Sequence, residues 1–382
     1  MNKIYFDNAA TTKIAPEVYE AMLPYLEENF GNASSIHTFG KTAKVILEDA
    51  RDIIADFLGA KPKEIFFTSG GTESNNFAIK GLSYRFLNSD KNHIITTTIE
   101  HSAVIEIVNY LKDRFGFRAT FVKPDKDGNI TPDSIQNEIK PETFLISVMH
   151  SNNEIGVIND IKAMANIAKE KEIYFHSDTV QSIGKTDFDL KELNIDFATL
   201  SAHKFYGPKG VGIAYIKEGT IVDKFIHGGG QERDMRGGTE NIAGVVGLMK
   251  AVELLKQNFS KDINHYLELR NHLIKKLEEV YNDKIIFNSR EENSLPNIVN
   301  VSFKPDEFNF DPEMFLIMLD LKGIAVSSGS ACTSGSIKPS RVLLEMGRDE
   351  RTALSSLRIS FGRDNTLDEI DHFISALKEI VK

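Results

Sequence analysis

Two side chains set out the first chemical possibility. Lys204 closes the run DFATLSAHK (196–204) and Asp178 closes IYFHSD (173–178), so each falls at the end of a β-like run. Open α/β sheets place their ligands at such strand ends. A lysine there is in most proteins an ordinary surface residue, and an aspartate there often caps the following turn. Taken together they offer more. An amine that can form a Schiff base, and a carboxylate that keeps a pyridinium nitrogen protonated, are the requirements of pyridoxal phosphate chemistry. The lysine anchors the cofactor and moves protons. The carboxylate lets the ring draw electrons from the α-carbon of an amino acid.

Three further segments carry chemical potential. In TSGGTESN (68–75) a strand ends, two glycines turn and a helix opens. Backbone N–H groups and the helix N-terminus suit an anion, although an ordinary βα turn has the same form. No Gly-Lys-[Ser/Thr] follows, so this is not a Walker A loop. GPKGVG (207–212) lies between two strands and reads as a hairpin turn. GGGQERDMRGGTEN (228–241) is glycine-rich and charged. It is expected to be too flexible for a core, and to be a surface loop or one that crosses a subunit boundary toward a phosphate.

Cys332 is the only cysteine, which excludes an intramolecular disulfide and a C-x-x-C metal site. A lone cysteine is commonly a small buried hydrophobe. Its setting, SSGSACTSGS (327–336), is made of small and hydroxyl residues. Such a stretch does not pack a core and favours a mobile surface loop. No H-E-x-x-H or similar spacing suggests a catalytic metal.

The elements that must position these residues follow from periodicity. From residue 64 onward, runs rich in apolar and β-branched residues (64–69, 93–98, 117–122, 143–150, 173–178, 196–204, 211–217) are interleaved with helical stretches at 72–86, 102–115 and 160–172. This alternation predicts a mainly parallel sheet with helices on both faces, and the close spacing of the last two runs predicts one antiparallel pair. Beyond about residue 240 come two long helical stretches, then strands at NIVNVSF and SSLRISFG, and a terminal helix at TLDEIDHFISALKEIVK. That mixture predicts a smaller α+β domain. The expected division is a large domain over 15–255 and a small one made of 1–14 and 256–382.

Composition bounds the rest. With 382 residues, 41% of them hydrophobic and 26% charged, the chain has enough apolar material for full cores without metal or disulfide staples. A net charge of −10 repels phosphate backbones and argues against nucleic acid as a partner. There is no apolar run long enough for a bilayer and no signal-peptide pattern at MNKIYFDNAATT, so no membrane association is expected and the cytoplasm is the default location.

The segments also form an ordered series: YFDNAATT (5–12), GNASSIH (31–37), FTSGGTESNN (67–76), EHSAV (100–104), MHSNNEIG (149–156), HSDTVQS (176–182), LSAHKFYGPKG (200–210), HGGGQERDMRGGTEN (227–241), SSGSACTSGS (327–336) and LRISFGR (357–363). This series resembles the cysteine desulfurase family of the NifS/IscS type, within the fold-type-I pyridoxal phosphate enzymes and the class-V aminotransferases. The resemblance covers nearly the whole chain. It implies a seven-stranded, mainly parallel sheet sandwiched by helices, and pyridoxal phosphate as cofactor. Lys204 would bind the cofactor covalently, Asp178 would pair with its ring nitrogen, and Gln181 would meet its phenolate oxygen. His101 would stack on the ring and take part in acid–base steps. Gly71, Thr72, Ser201 and His203 would hold the phosphate, joined by Thr239 from the other subunit of a homodimer. Asn153 would contact the cofactor and, with Arg358, the substrate carboxylate. Cys332 would take sulfur from L-cysteine as a persulfide, leaving alanine. It would pass the sulfur to an acceptor or an iron–sulfur scaffold protein, where it could briefly ligate a cluster. Relatives in the same fold leave two alternatives: a selenocysteine lyase, against which the SSGSACTS form argues, and an aminotransferase, which needs no thiol at 332. A non-catalytic scaffold would have no use for Lys204, Asp178 and Cys332 together.

Overall fold

The computed structural model describes residues 3–289, 292–308, 311–328 and 338–381. A short strand, β1 (Ile4–Tyr5), is followed by helices α1 (Pro16–Glu27) and α2 (Thr38–Leu58). The alternating region then supplies β2 (Ile65–Thr68), α3 (Gly71–Arg85), β3 (His93–Thr97), α4 (Ser102–Phe115), β4 (Arg118–Val122), β5 (Thr143–Ser147), β6 (Tyr174–Asp178), β7 (Phe197–Ser201) and β8 (Gly212–Ile216). Strands β2 to β8 form one sheet in the order β2-β8-β7-β6-β5-β3-β4. β8 runs antiparallel to β2 and β7, and the other pairings are parallel. The reversal of β8 follows from the short 202–211 connection, which leaves no room for a crossover helix.

Side chains on these strands alternate between two apolar layers, as strand geometry requires. Ile65, Phe67, Ile95, Leu200 and Ile213 face a cluster completed by α1, α2 and the 161–170 helix. Phe66, Ile94, Phe197 and Ala214 face a second cluster built by α3 and α4. Because both faces are covered, the strands read as nearly continuous apolar runs.

A second region has its own core. β9 (Ile285–Phe287), β10 (Ile298–Phe303) and, after β11 (Ile324–Ala325), β12 (Ser356–Ser360) form a three-stranded antiparallel sheet in the order β12-β10-β9. β1 pairs with β11 alone. The 367–380 helix packs on this layer through Ile370, Phe373 and Leu377.

The structure differs from sequence expectation in three places. The two helical stretches after residue 240 are one continuous 40-residue helix, Ile242–Tyr281, about 60 Å long by its rise per residue. Its first turns bury Val245, Leu248 and Val252 against the large sheet, and its last turns bury Leu269, Leu273 and Leu277 in the second core. The short 260–262 stretch between them reads as a break, but it is helix, with Ser260 and Lys261 exposed and Asp262 buried against Arg363. The β-like run 196–204 ends at Ser201, and Ala202–Lys204 is a single 3₁₀ turn. The 228–241 segment is also less loose than its glycines imply. It contains a short helical turn, Gln231–Asp234, and buries Glu232.

Candidate active site

A cavity of about 660 Å³ opens at the carboxyl ends of β6 and β7. It brings together ten of the twelve residues singled out from the sequence: Gly71, Thr72, His101, Asn153, Asp178, Gln181, Ser201, His203, Lys204 and Arg358 all line it. Thr239 does not. It is exposed and faces a separate, smaller pocket beside Phe67 and Arg236. Cys332 lies outside the described residues.

Lys204 stands at the end of its 3₁₀ turn with Nζ donating to the carbonyls of Ala9 (2.6 Å) and Ala10 (2.8 Å). Burial, reinforced by the Arg358 charge and opposed by Asp178 and Asp7, lowers its pKa to about 8. A sizeable neutral fraction is therefore present near neutral pH, the form a nucleophilic amine needs. Beneath it Lys185, wholly enclosed, donates to the Lys204 carbonyl at 3.1 Å. Burial, reinforced by the Lys204 and Arg363 charges, lowers its pKa to about 7.

Asp178 is buried at the last position of β6. A buried carboxylate needs compensating partners, and among the described residues this one accepts hydrogen bonds from neutral donors: Asn75 Nδ2 at 2.8 Å and the Val180 N–H at 3.1 Å. Asn75 is fixed in turn by the hydroxyl of Thr199 on β7, which donates to its Oδ1 at 2.9 Å. The Gln181 amide donates to the Ala9 carbonyl at 3.0 Å, and its buried Oε1 has no partner among the described residues.

The glycine turn is sterically specified. Gly70 has φ +147°, and a Cβ on Gly71 would come within 2.9 Å of the Val180 side chain. α3 begins at Gly71, so its first N–H groups point out of the turn. His203 meets the Thr11 hydroxyl at 3.1 Å, and burial together with the nearby lysines pushes its pKa down to about 4, so near neutral pH it is an uncharged hydrogen-bonding group.

His101 is the N-cap of α4, its Nδ1 accepting the Ala103 N–H at 3.1 Å. The helix-capping role and the cavity-facing role thus coexist. Protein atoms around the ring lower its pKa, with the Lys204 and Arg341 charges acting in the same direction against Asp178. Arg358, in the middle of β12, donates to the Asn153 carbonyl at 2.9 Å and to Asp7 at 2.6 Å, while its buried Nε has no partner among the described residues. It is Asn153's backbone oxygen, rather than its amide, that meets the guanidinium.

Several cavity residues escaped sequence reasoning. Asp7, Asn75, Glu100, Glu154 and Arg341 all line the same space. Glu100 is fully enclosed. Burial, and to a lesser degree the Asp178 charge, raises its pKa to about 8 even though it accepts hydrogen bonds from the Met149 N–H (2.8 Å) and the Thr97 hydroxyl (3.0 Å). The signal available for it was its place directly before His101 in EHSAV. Arg341, which donates to the Glu100 carbonyl at 2.5 Å, carries no local sequence signal.

Taken as a class, a half-buried lysine beside a strand-end carboxylate at the carboxyl edge of a seven-stranded, mainly parallel sheet defines a lysine-centred α/β enzyme site. The family model for aminotransferase class-V matches residues 4–373. The chain belongs to the class-V aminotransferase family. It is 45% identical over 380 residues to a protein named cysteine desulfurase IscS from Dictyoglomus turgidum, covering 100% of this chain and 95% of that relative. A solved structure described as a NifS-like protein superposes with a TM-score of 0.91 at 39% identity, covering 99% of both chains. Another, described as SspA in complex with cysteine, has a TM-score of 0.80 at 38% identity, covering 94% of this chain and 98% of that one. No helix among the described residues is long and apolar enough to cross a membrane.

Proposed function

We infer that this protein is a pyridoxal phosphate-dependent cysteine desulfurase, taking sulfur from L-cysteine onto Cys332 and leaving L-alanine. The observation that carries the reading is Lys204: an amine with its pKa lowered to about 8, lining one cavity with Asp178 and Arg358. The donor set fits the cofactor. The Gln181 amide has one hydrogen on the Ala9 carbonyl and a second to offer a phenolate oxygen, while Gly70 has a φ of +147° and a Cβ on Gly71 would crowd the Val180 side chain at 2.9 Å.

When bound, pyridoxal phosphate supplies a carbonyl for amines and a ring that withdraws electrons. Lys204 would hold it and carry the α-proton of the substrate, with His101 assisting. Asp178, kept in place by Asn75, would face the ring nitrogen, and Gln181 would face the phenolate oxygen. Gly71, Thr72, Ser201 and His203 would take the phosphate. Arg358, with its free Nε, and Asn153 would hold the substrate carboxylate. The Cys332 thiolate would attack the substrate sulfur. As the S–S bond forms, the C–S bond breaks with its electron pair going to the substrate carbon, which is then protonated. The persulfide would pass to an acceptor such as an iron–sulfur scaffold protein.

Two features support a homodimer. Thr239 is exposed and lies outside its own chain's cavity, and Phe30, Ile36 and Phe39 stand 71%, 90% and 57% exposed near the start of α2, an apolar grouping that a second copy would cover. The reading divides the chain into a large unit over 15–255 and a small one of 1–14 and 256–382. It places the work in the cytoplasm, where a single thiol stays reduced.

The test is stoichiometric. With L-cysteine and a reductant, the purified protein should form alanine and sulfide in equal amounts. Cys332→Ala should keep the cofactor's absorbance and release essentially no sulfide. Lys204→Ala should lose the borohydride-reducible link. Cofactor uptake should quicken as pH rises through about 8, because the neutral amine at Lys204 is the reactive form. Alanine and sulfide production by Cys332→Ala at the unaltered rate would overturn the assignment of the thiol.

A further inference from the structure

The turn between β2 and α3 carries an acidic side chain close to where an anion is expected. Together with Gly71, Thr72, Ser201 and His203, Glu73 lines a cavity of about 340 Å³. A carboxylate beside a bound phosphate repels it, and at partly buried separations the cost amounts to about tenfold in affinity or more. Glu73 does not stand alone. Arg236 grips it with a two-pronged guanidinium, Nε to Oε1 at 2.9 Å and Nη2 to Oε2 at 3.2 Å, and the two side chains are only 21% and 9% exposed. The same carboxylate accepts the Ser69 N–H at 2.9 Å, so holding Glu73 also holds the turn.

Arg236 belongs to the 228–241 segment, whose other anchor grips the strand that enters the turn. Glu232 accepts both terminal nitrogens of Arg51, at 2.9 and 3.0 Å, and the Phe67 N–H at 2.9 Å. The segment therefore clasps β2 before the turn and α3 after it. Lys209 is the remaining cationic side chain on the cavity wall, and His203, with a pKa near 4, adds no charge at neutral pH.

We propose that Arg236 is a positioning residue for the phosphate-binding turn: it cancels the charge of Glu73, leaving Lys209 and the first N–H groups of α3 to act on the phosphate, and it fixes the turn through Glu73. This inference rests on the pyridoxal phosphate reading above and adds a residue to it.

A double-mutant cycle on the full-length chain tests it, with the cofactor removed and pyridoxal phosphate titrated back. The readouts are the absorbance of the bound cofactor and its dissociation constant. Arg236→Ala should weaken binding about tenfold or more, because an uncompensated Glu73 then faces the phosphate. Glu73→Gln should bind at least as well as the unaltered chain, since its amide oxygen still accepts the Ser69 N–H. The double variant should recover most of the loss, an outcome that a purely structural clamp would not produce. Thermal melts of the cofactor-free variants separate misfolding from lost affinity, and Arg236→Lys, which keeps the charge, should restore part of the affinity. Equal affinity in Arg236→Ala and the unaltered chain would overturn the proposal, as would a double variant no better than Arg236→Ala. An unaltered chain that takes up no pyridoxal phosphate would overturn the functional reading and this inference with it.

Discussion

Two buried arginines, one on α2 and one on β12, are used in opposite ways. Arg51 on α2 is saturated. Its guanidinium reaches both oxygens of Glu232, the Ile65 carbonyl and Glu48, and it lies 4.6 Å over the Phe67 ring. Arg358 on β12 is less fully paired: among the described residues its partners are Asp7 and the Asn153 carbonyl, and its buried Nε has none. An orphaned buried donor costs stability, and on a side chain that lines the cavity it is a group that a ligand acceptor could complete. On the proposed reading, the contrast separates an ion pair that holds the fold from one that would take a substrate carboxylate.

The largest effect that would sharpen this contrast is on stability at the saturated pair. Arg51→Met should destabilise the protein by about 3–5 kcal/mol, because Glu232 is left buried without its counter-charge. Chemical denaturation measures it, and a loss below about 1 kcal/mol would erase the distinction. At the incomplete pair the effect moves from folding to chemistry. Arg358→Ala should cut desulfuration about a hundredfold, since a misplaced substrate carboxylate costs that much, with a much smaller change in denaturation midpoint and with bound cofactor retained. Loss of cofactor with unchanged handling of L-cysteine would mean that Arg358 acts structurally. The smallest effect belongs to a third kind of pair, Lys61 and Lys63 with the exposed Glu218. Glu218→Gln should leave the denaturation midpoint unchanged within error, because solvent screens such contacts.

Acid should act through another set of buried groups. His150 and His176 have pKa values pushed down to about 4 and about 3 by burial. A histidine whose folded pKa lies below its unfolded value of about 6.5 contributes fully above that value and loses its contribution as pH falls toward the folded pKa. Between pH 6.5 and about 4 the fold should therefore weaken steadily, and no such loss is expected from these groups above pH 7.

Much of the site was legible because its residues sit at the ends of local patterns. Asp178 and Lys204 follow β-rich runs, and Gly70 and Gly71 separate a strand from a helix, so a period change in the sequence marks each of them. Asn75 was hidden inside the third helix, where an asparagine looks like any polar residue. Only the parallel placement of β6 beside β7 lets it reach Asp178. The first two helices went unread because YFDNAATT and GNASSIH draw attention as motifs rather than as helix flanks, although Pro16 at a first turn and Gly59, with φ +68°, mark one start and one end. His37, the last residue of GNASSIH, is the N-cap of α2.

The sequence by itself determined which elements form and which of their ends carry chemistry, since periodicity, turn residues and helix caps act over a few neighbours. The tertiary structure decided the pairings that cross the chain: Arg358 with Asp7, 351 positions apart, and Arg236 with Glu73, 163 apart. It also decided that Ile242–Tyr281 is one helix serving two cores. These choices depend on sheet order and on which apolar faces meet. No short stretch of residues encodes either, because burial is settled only when distant segments share one interior.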